Sequence, residues 1–386
     1  MKNRKICYVT GTRAEYGLMR HTLKEISKEF DLSLIVTGMH LCPEFGYTIS
    51  EIEKDGFKID KKVDMLLSSD TGGAMAKSFG LAVIGITQAL EDIKPDMLLI
   101  TGDRGEALAA AIAGAHLNIP IAHIHGGDQG DDGAHIDDQI RHSITKFAHI
   151  HFPATKLSAE RIIKMGEEPW RVHIVGAPGL DEIYSEKLYS KEYIEKKYHL
   201  DLNKPLILVV QHPVLTQIDM AADQIRETLE ALKEINEQTI LIYPNSDAGG
   251  REMIKIIQEY ERYDFLQSYK NLPRKDYLSL MKYASAMVGN SSSGTIEAPI
   301  FKLPVVNIGV RESSREHTGN KIFVKPSRDE IMQAIKKALF DENFKKLVQQ
   351  CKSIYGDGNA SRKIVKALKH VSSLEKEKLL KKKLTY

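Results

Sequence analysis

A chain of 386 residues is too long for one compact core and short for three, so two domains of ordinary size are expected. Its composition, 42% hydrophobic and 27% charged, excludes a disordered chain, and its longest apolar strings, Leu206 to Val210 and Met97 to Ile100, are too short for a membrane span. Lys and Arg number 54 against 52 Asp and Glu, a net charge of +2, so there is no overall basic field to attract nucleic acid.

Short β-branched runs alternate with amphipathic segments along the chain, the pattern of parallel sheets covered by helices on both faces, and the expected fold class is α/β with two doubly wound domains. In the first half, strands are expected at Ile6 to Thr10, Leu32 to Thr37, Met97 to Thr101, Ile119 to His123 and His149 to Phe152, with helices at Tyr16 to Phe30, Glu106 to Leu117 and Ile136 to Phe147. A further strand near Val172 to Val175 ends in Gly176-Ala-Pro-Gly179, which closes a first domain at 1–176. The second domain, 177–358, starts again with strands at Pro205 to Val210, Thr239 to Tyr243, Ala286 to Val288 and Val305 to Ile308, and a helix is expected over Thr295 to Lys302. Ala360 to Lys383 reads as one long helical pattern without a partner strand; 359–386 is expected to pack back on the first domain, with Lys376, Lys378 and Lys381 to Lys383 as a solvated helix end. Three well-separated cysteines, Cys7, Cys42 and Cys351, and an N-terminus without an apolar leader point to a reducing, cytoplasmic setting.

Polar residues gather where apolar strands end. The first strand runs into Thr10-Gly-Thr-Arg-Ala-Glu-Tyr-Gly17, which lacks the three glycines of a dinucleotide fingerprint but places Arg13 where a guanidinium and a helix N-terminus could hold an anion. The third ends in Thr101-Gly-Asp-Arg-Gly-Glu106, so Asp103 and Arg104 share one turn. His123-Ile-His125-Gly-Gly-Asp128, continuing to Asp137-Asp138-Gln-Ile-Arg141-His142, is the densest polar segment and offers several proton donors and acceptors. His123 and His125 alternate on the expected strand, and His142 lies five residues from Asp137, so no metal site is expected. In the second half His212 follows a strand, Asn245 and Asp247 follow the next, and Gly289-Asn-Ser-Ser-Ser-Gly294 forms a phosphate cradle with Glu297 just beyond it and Arg311 and Arg315 after the following strand.

Together these segments resemble the hydrolysing UDP-N-acetylglucosamine 2-epimerase family over roughly Lys5 to Leu368, through Gly-Thr-Arg-Ala-Glu-Tyr, Thr-Gly-Asp-Arg, His-Ile-His-Gly-Gly, Ile-Asp-Asp-Gln-Ile-Arg-His, Gln-His-Pro-Val, Pro-Asn-Ser-Asp-Ala-Gly and Gly-Asn-Ser-Ser-Ser-Gly. The resemblance implies a glycosyltransferase-B type fold with Rossmann-like domains and an active site in the cleft between them, no metal or redox cofactor, and a homo-oligomer, dimer or tetramer. It implies conversion of UDP-N-acetylglucosamine and water to N-acetylmannosamine and UDP, for sialic acid synthesis, by UDP elimination and hydration of a 2-acetamidoglucal. UDP-2,4-diacetamido-2,4,6-trideoxyglucose, of legionaminic acid synthesis, is the alternative substrate. A glycosyltransferase using the same UDP pocket is the alternative of another class, distinguished by its need for an acceptor.

Carried over by resemblance, Asp103 and Asp137 serve proton transfer and His212 the leaving diphosphate or acid catalysis. Arg13 binds the diphosphate and Arg104 the nucleotide sugar, Asn245 touches the ligand, Ser291 and Ser292 receive the diphosphate, Glu297 the ribose, and Arg311 the pyrophosphate or uridine side. Two departures, His125 where some members have Glu and Asp128 where Glu is commoner, leave the base open among His125, Asp128 and Asp137.

Overall fold

The apolar runs become the inner strands of two parallel six-stranded sheets in a computed structural model that describes residues 4–69, 71–129, 136–245, 247–313 and 315–385. The first sheet holds β1 (Lys5–Thr10), β2 (Asp31–Thr37), β3 (Lys61–Val63), β4 (Met97–Thr101), β5 (Ile121–Ile124) and β6 (Ile150–Phe152), in the order β3-β2-β1-β4-β5-β6. The second holds β7 (Leu206–Val210), β8 (Gln238–Ile242), β9 (Leu266–Tyr269), β10 (Ala286–Gly289), β11 (Val305–Ile308) and β12 (Lys321–Val324), in the order β12-β11-β10-β7-β8-β9. Each is a doubly wound sheet whose winding reverses once, between β1 and β4 in the first and between β7 and β10 in the second. Such reversals leave an opening at the carboxyl ends of the strands, where ligands of this architecture bind.

The chain divides into two compact units, one of 4–129, 136–185 and 355–385 and the other of Glu186–Ile354. In the first, helix Ala360–Ser372 returns to helix Arg13–Ser27, burying Ile364, Leu368 and Val371 in one cluster with Met19, Leu23 and Ile26. Its first turn is capped by the buried Asp181 carboxylate, which accepts from the Ala360 and Ser361 amides at 2.9 and 2.5 Å. In the second, strand Leu206–Val210 is apolar at every position because helices cover both faces.

The structure corrects several expected elements. Val172 to Val175 is no strand: one bridge, His151 to Val172, forms, and Pro153, which has no N–H, stops the ladder. Thr295 to Lys302 is not one helix. A turn over Ser293–Ile296 passes into a 3-10 turn over Ala298–Phe301, because the Pro299 ring cannot continue the helical bonding. Ala360 to Lys383 breaks after Ser372, where the Ser373 hydroxyl bonds the His370 carbonyl at 2.6 Å, and a short helix Lys376–Leu380 follows. Lys376, Lys378, Lys381 and Lys383 are exposed, but the Lys382 side chain is folded inward and only 14% exposed. His125 lies beyond the end of β5 with φ 63°, so the strict alternation expected of His123 and His125 ends at Ile124. Helix Gly72–Ile93, unread in the sequence, is the one described helix long and apolar enough to cross a bilayer by length and composition; it buries Ala82, Ile86, Ala89 and Leu90 in the first unit's core.

Candidate functional site

In the first unit the polar strand ends are organised by one arginine. Arg141, on helix Ile136–Phe147, is 3% exposed; its Nη2 donates to Asp103 Oδ2, its Nη1 to Asp138 Oδ1 and, at 3.0 Å, to the Asp128 carbonyl. The guanidinium fork therefore ties the turn after β4 to the turn after β5 and to its own helix. Asp103 remains a quarter exposed, while Asp138 is buried. Asp137, in the first helical turn beside Asp138, is half-buried.

The turn that carries His125 and Asp128 is held from below. His123, fully buried, lies with Nε2 2.7 Å from the Gly102 carbonyl, which requires the ring proton on Nε2 and steadies the turn into Asp103. Burial pulls its pKa down to about 3, so it stays neutral. His125 adopts the left-handed backbone that a side chain disfavours and donates its amide to Phe152 O at 3.1 Å. Gly127, with φ 74°, has no room for a side chain: a Cβ would stand 2.1 Å from the Ser158 carbonyl. Asp128, next in the chain, is buried.

Arg13 begins helix Arg13–Ser27 at the end of β1, its Nε 3.6 Å from Glu51. Arg104 immediately precedes helix Gly105–His116, its Nε 3.4 Å from Glu106. Behind Arg13, Glu15 accepts from the Tyr8 hydroxyl, the Thr10 hydroxyl and the Gly11 amide, and burial raises its pKa.

In the second unit the opening between β7 and β10 is bridged by a two-way amide contact. The His212 amide donates to Asn290 Oδ1 at 2.7 Å, and Asn290 Nδ2 donates to the His212 carbonyl at 2.9 Å. The Asn245 amide donates to His212 Nδ1 at 3.2 Å, so that nitrogen carries its lone pair and the neutral ring presents an Nε2–H donor. Asn245 is fixed in turn by Asp247, 2.6 Å from its Nδ2. The close approach of the two strand ends demands Gly289, where a Cβ would lie 2.0 Å from the Val210 carbonyl.

Ser291 and Ser293 share a hydroxyl contact at 3.0 Å, Tyr277 reaches Ser293 at 2.6 Å, and Ser292 precedes the short turn Ser293–Ile296. Arg311 Nη1 donates to the Asn290 carbonyl at 3.3 Å, which places a cation beside these hydroxyls. Glu297 is buried, with Oε1 held by the equally buried Arg274. Deeper, Thr295 and Arg315 both bond Glu312, and burial lowers Lys321 to about 8. Cations, hydroxyls and an oriented ring N–H suit a diphosphate, and a carboxylate suits vicinal hydroxyls.

Asp103, Asp128 and Asp137 thus share the surroundings of Arg141, and His212, Asn245, Ser291 and Arg311 share those of Asn290. Sequence reasoning passed over Arg141, Asp138, Asn290, Arg274 and Tyr277 as site residues. The i,i+3 spacing of Asp138 and Arg141, and the place of Asn290 directly after a strand, were available signals; Arg274 and Tyr277 carried none. Among the described residues, no three His, Cys, Asp or Glu side chains gather as metal ligands.

A family model described as UDP-N-acetylglucosamine 2-epimerase matches residues 23–369. The hydrolysing UDP-N,N'-diacetylbacillosamine 2-epimerase of Legionella pneumophila is 41% identical over 370 residues, covering 95% of this chain and 96% of its own. The hydrolysing GDP/UDP-N,N'-diacetylbacillosamine 2-epimerase of Campylobacter jejuni is 41% identical over 327 residues, covering 83% and 84%. In fold, the chain is similar to the solved UDP-GlcNAc 2-epimerase of Neisseria meningitidis bound to UDP-GlcNAc, with a TM-score of 0.81 over 95% of this chain and 100% of that one at 19% identity.

Proposed function

Because the chain belongs to the UDP-N-acetylglucosamine 2-epimerase family, we propose that it is a hydrolysing 2-epimerase of a UDP-linked 2-acetamido sugar, with UDP-2,4-diacetamido-2,4,6-trideoxyglucose as its substrate. The observation that carries this reading is that two relatives, each 41% identical over at least 83% of the chain, are both named as hydrolysing epimerases of N,N'-diacetylbacillosamine nucleotides. UDP-N-acetylglucosamine, the substrate that the family resemblance implied, becomes the comparison substrate.

A base among His125, Asp128 and Asp137 takes the C2 proton while the C1–O bond to UDP breaks, leaving a C1=C2 double bond. Water then adds its hydroxyl to C1, and a proton returns to C2 from the opposite face, giving the 2-epimer as a free sugar. The C2 proton is weakly acidic, so the proton-transfer groups must be fixed in place; Arg141 does this for Asp103 through a partly buried ion pair and for Asp128 through its backbone carbonyl. The leaving diphosphate is met by the His212 Nε2–H, the Ser291 and Ser292 turn and Arg311, while Glu297, oriented by Arg274, accepts the ribose hydroxyls. Arg13 and Arg104 hold the sugar nucleotide from the first unit.

Steady-state UDP release with each sugar nucleotide tests the proposal. The expected result is a free 2-epimer, with kcat/KM about tenfold higher for the diacetamido sugar, a margin that one acetamido pocket supplies. A product still carrying its nucleotide, or release that requires an acceptor, contradicts it.

A further inference from the structure

The inward-folded end of the chain meets the helix on which Asp137 and Arg141 stand. An α-helix leaves its last four carbonyls without helical partners, and Ile136–Phe147 is followed by Ala148 and His149, with no glycine or asparagine to cap it. The Ala148 amide takes the Ile144 carbonyl at 2.8 Å. Lys382 Nζ, more than 230 residues away in sequence, donates to the carbonyls of Thr145 at 3.1 Å, Lys146 at 2.8 Å and Ala148 at 2.8 Å. The same ammonium lies 2.7 Å from the fully buried Glu167 carboxylate.

The tail is held in this place by a buried side chain. Arg171, 0% exposed, donates to the carbonyls of Leu379 at 2.9 Å and Lys381 at 2.8 Å, and its Nε is 2.7 Å from Glu168. The Thr385 amide reaches the Gly166 carbonyl at 2.9 Å, and its hydroxyl the Glu167 carbonyl at 3.2 Å. A buried arginine spent on the backbone of an irregular tail fixes where Lys382 must stand.

We propose that Lys382 is a positioning residue of the epimerase reaction: it supplies the missing C-terminal cap of helix Ile136–Phe147 and thereby holds Arg141, midway along it, and Asp137, at its opposite end, in register with Asp103. The inference rests on the function proposed above. A helix of 12 residues is marginal by itself, and this one is anchored by the Arg141 cluster at one end and by Lys382 and the Lys146–Glu167 pair at the other. Cation and carbonyls also complement the helix dipole. Burial lowers Lys382 to about 8, so it is charged at neutral pH and loses that charge just above it. The groups facing it are Glu167, Lys146 and Arg171, with His149 and His151 behind, both kept neutral by burial.

Three proteins test this: wild type, Lys382→Met and Lys382→Arg. In Lys382→Met, kcat is expected to fall about tenfold, the cost of a small misplacement of a proton-transfer group, with KM and UDP affinity within twofold. In the same variant, amide exchange at Asp137 to Arg141 accelerates. Lys382→Arg restores kcat to within about threefold, since a guanidinium can also meet carbonyls and Glu167. Should the Met variant not fold, the pH profile decides: kcat of wild type falls above pH 8, while Lys382→Arg holds its rate. Unchanged kcat in a folded Met variant, equal loss of kcat and UDP affinity, or identical alkaline limbs in wild type and Lys382→Arg would overturn the inference. A wild-type protein that released no UDP would sink the functional reading instead, and the exchange rates at Asp137 to Arg141 would still decide whether Lys382 orders that turn.

Discussion

Replacing Arg141 by Ala is the sharpest test of how the first unit is built. The side chain is 3% exposed and serves two carboxylates, of which Asp138 is 4% exposed and Asp103 25%. Removing one partner of a buried pair leaves an uncompensated charge and costs about 3–5 kcal/mol. The Asp103 arm is partly solvated and screened, so we place the ionic loss near the lower end, about 3 kcal/mol, with about 1 kcal/mol more for the Asp128 carbonyl. For a unit of this size, about 4 kcal/mol lowers the melting temperature by about 8–15 °C. Arg141→Lys keeps the charge but loses the fork, reaching fewer of the three acceptors, so it falls between. Calorimetry supplies the stability, and UDP release and a UDP titration separate chemistry from nucleotide binding. Turnover should be lost in both variants while UDP affinity changes less than twofold, because Arg141 is not among the groups proposed to hold UDP. A melting shift under about 2 °C, or turnover retained in Arg141→Ala, would refute the claim that this guanidinium organises the acids.

Further outcomes follow from the same geometry. Gly127→Ala must enter the left-handed region and strike the Ser158 carbonyl, so denaturant unfolding should show a loss of at least about 2 kcal/mol, and turnover should fall with it. Asp103→Asn and Asp137→Asn should abolish UDP release while leaving UDP affinity within about threefold by calorimetric titration. Ser291→Ala combined with Arg311→Ala should do the reverse, weakening UDP binding by at least tenfold, about the worth of one charged hydrogen bond. His40 and His123 titrate at about 3 in the folded protein and near 6.5 unfolded, so the unfolded chain binds more protons between those values and stability falls as pH drops below 6.5. The pair contributes a loss of up to about 4 kcal/mol by pH 5, and His123→Gln should reduce the slope of urea stability against pH by about one proton.

What the sequence revealed depended on where in the sheet an element lies. Leu206 to Val210 and Met97 to Thr101 were legible because covered central strands are continuously apolar. The strands passed over, Lys61–Val63, Leu266–Tyr269 and Lys321–Val324, all stand at sheet edges, where one side has no neighbour and polar residues interrupt the run. Asp103, His212 and Ser291 were legible as site candidates because a doubly wound sheet exposes its strand ends. Their partners were not, since Arg141 meets Asp103 across 38 positions and Asn290 meets His212 across 78. Lys382 looked like one more solvated charge in a basic run, and only the placement of Arg171 and Glu167 turns it inward.

The most direct test of the account is an NMR time course in deuterated water with UDP-2,4-diacetamido-2,4,6-trideoxyglucose, run beside UDP-N-acetylglucosamine. The account predicts UDP and a free 2-epimer bearing deuterium at C2, with the diacetamido sugar consumed faster. A product that retains its original C2 hydrogen, or that keeps its nucleotide, would contradict elimination and hydration by this protein.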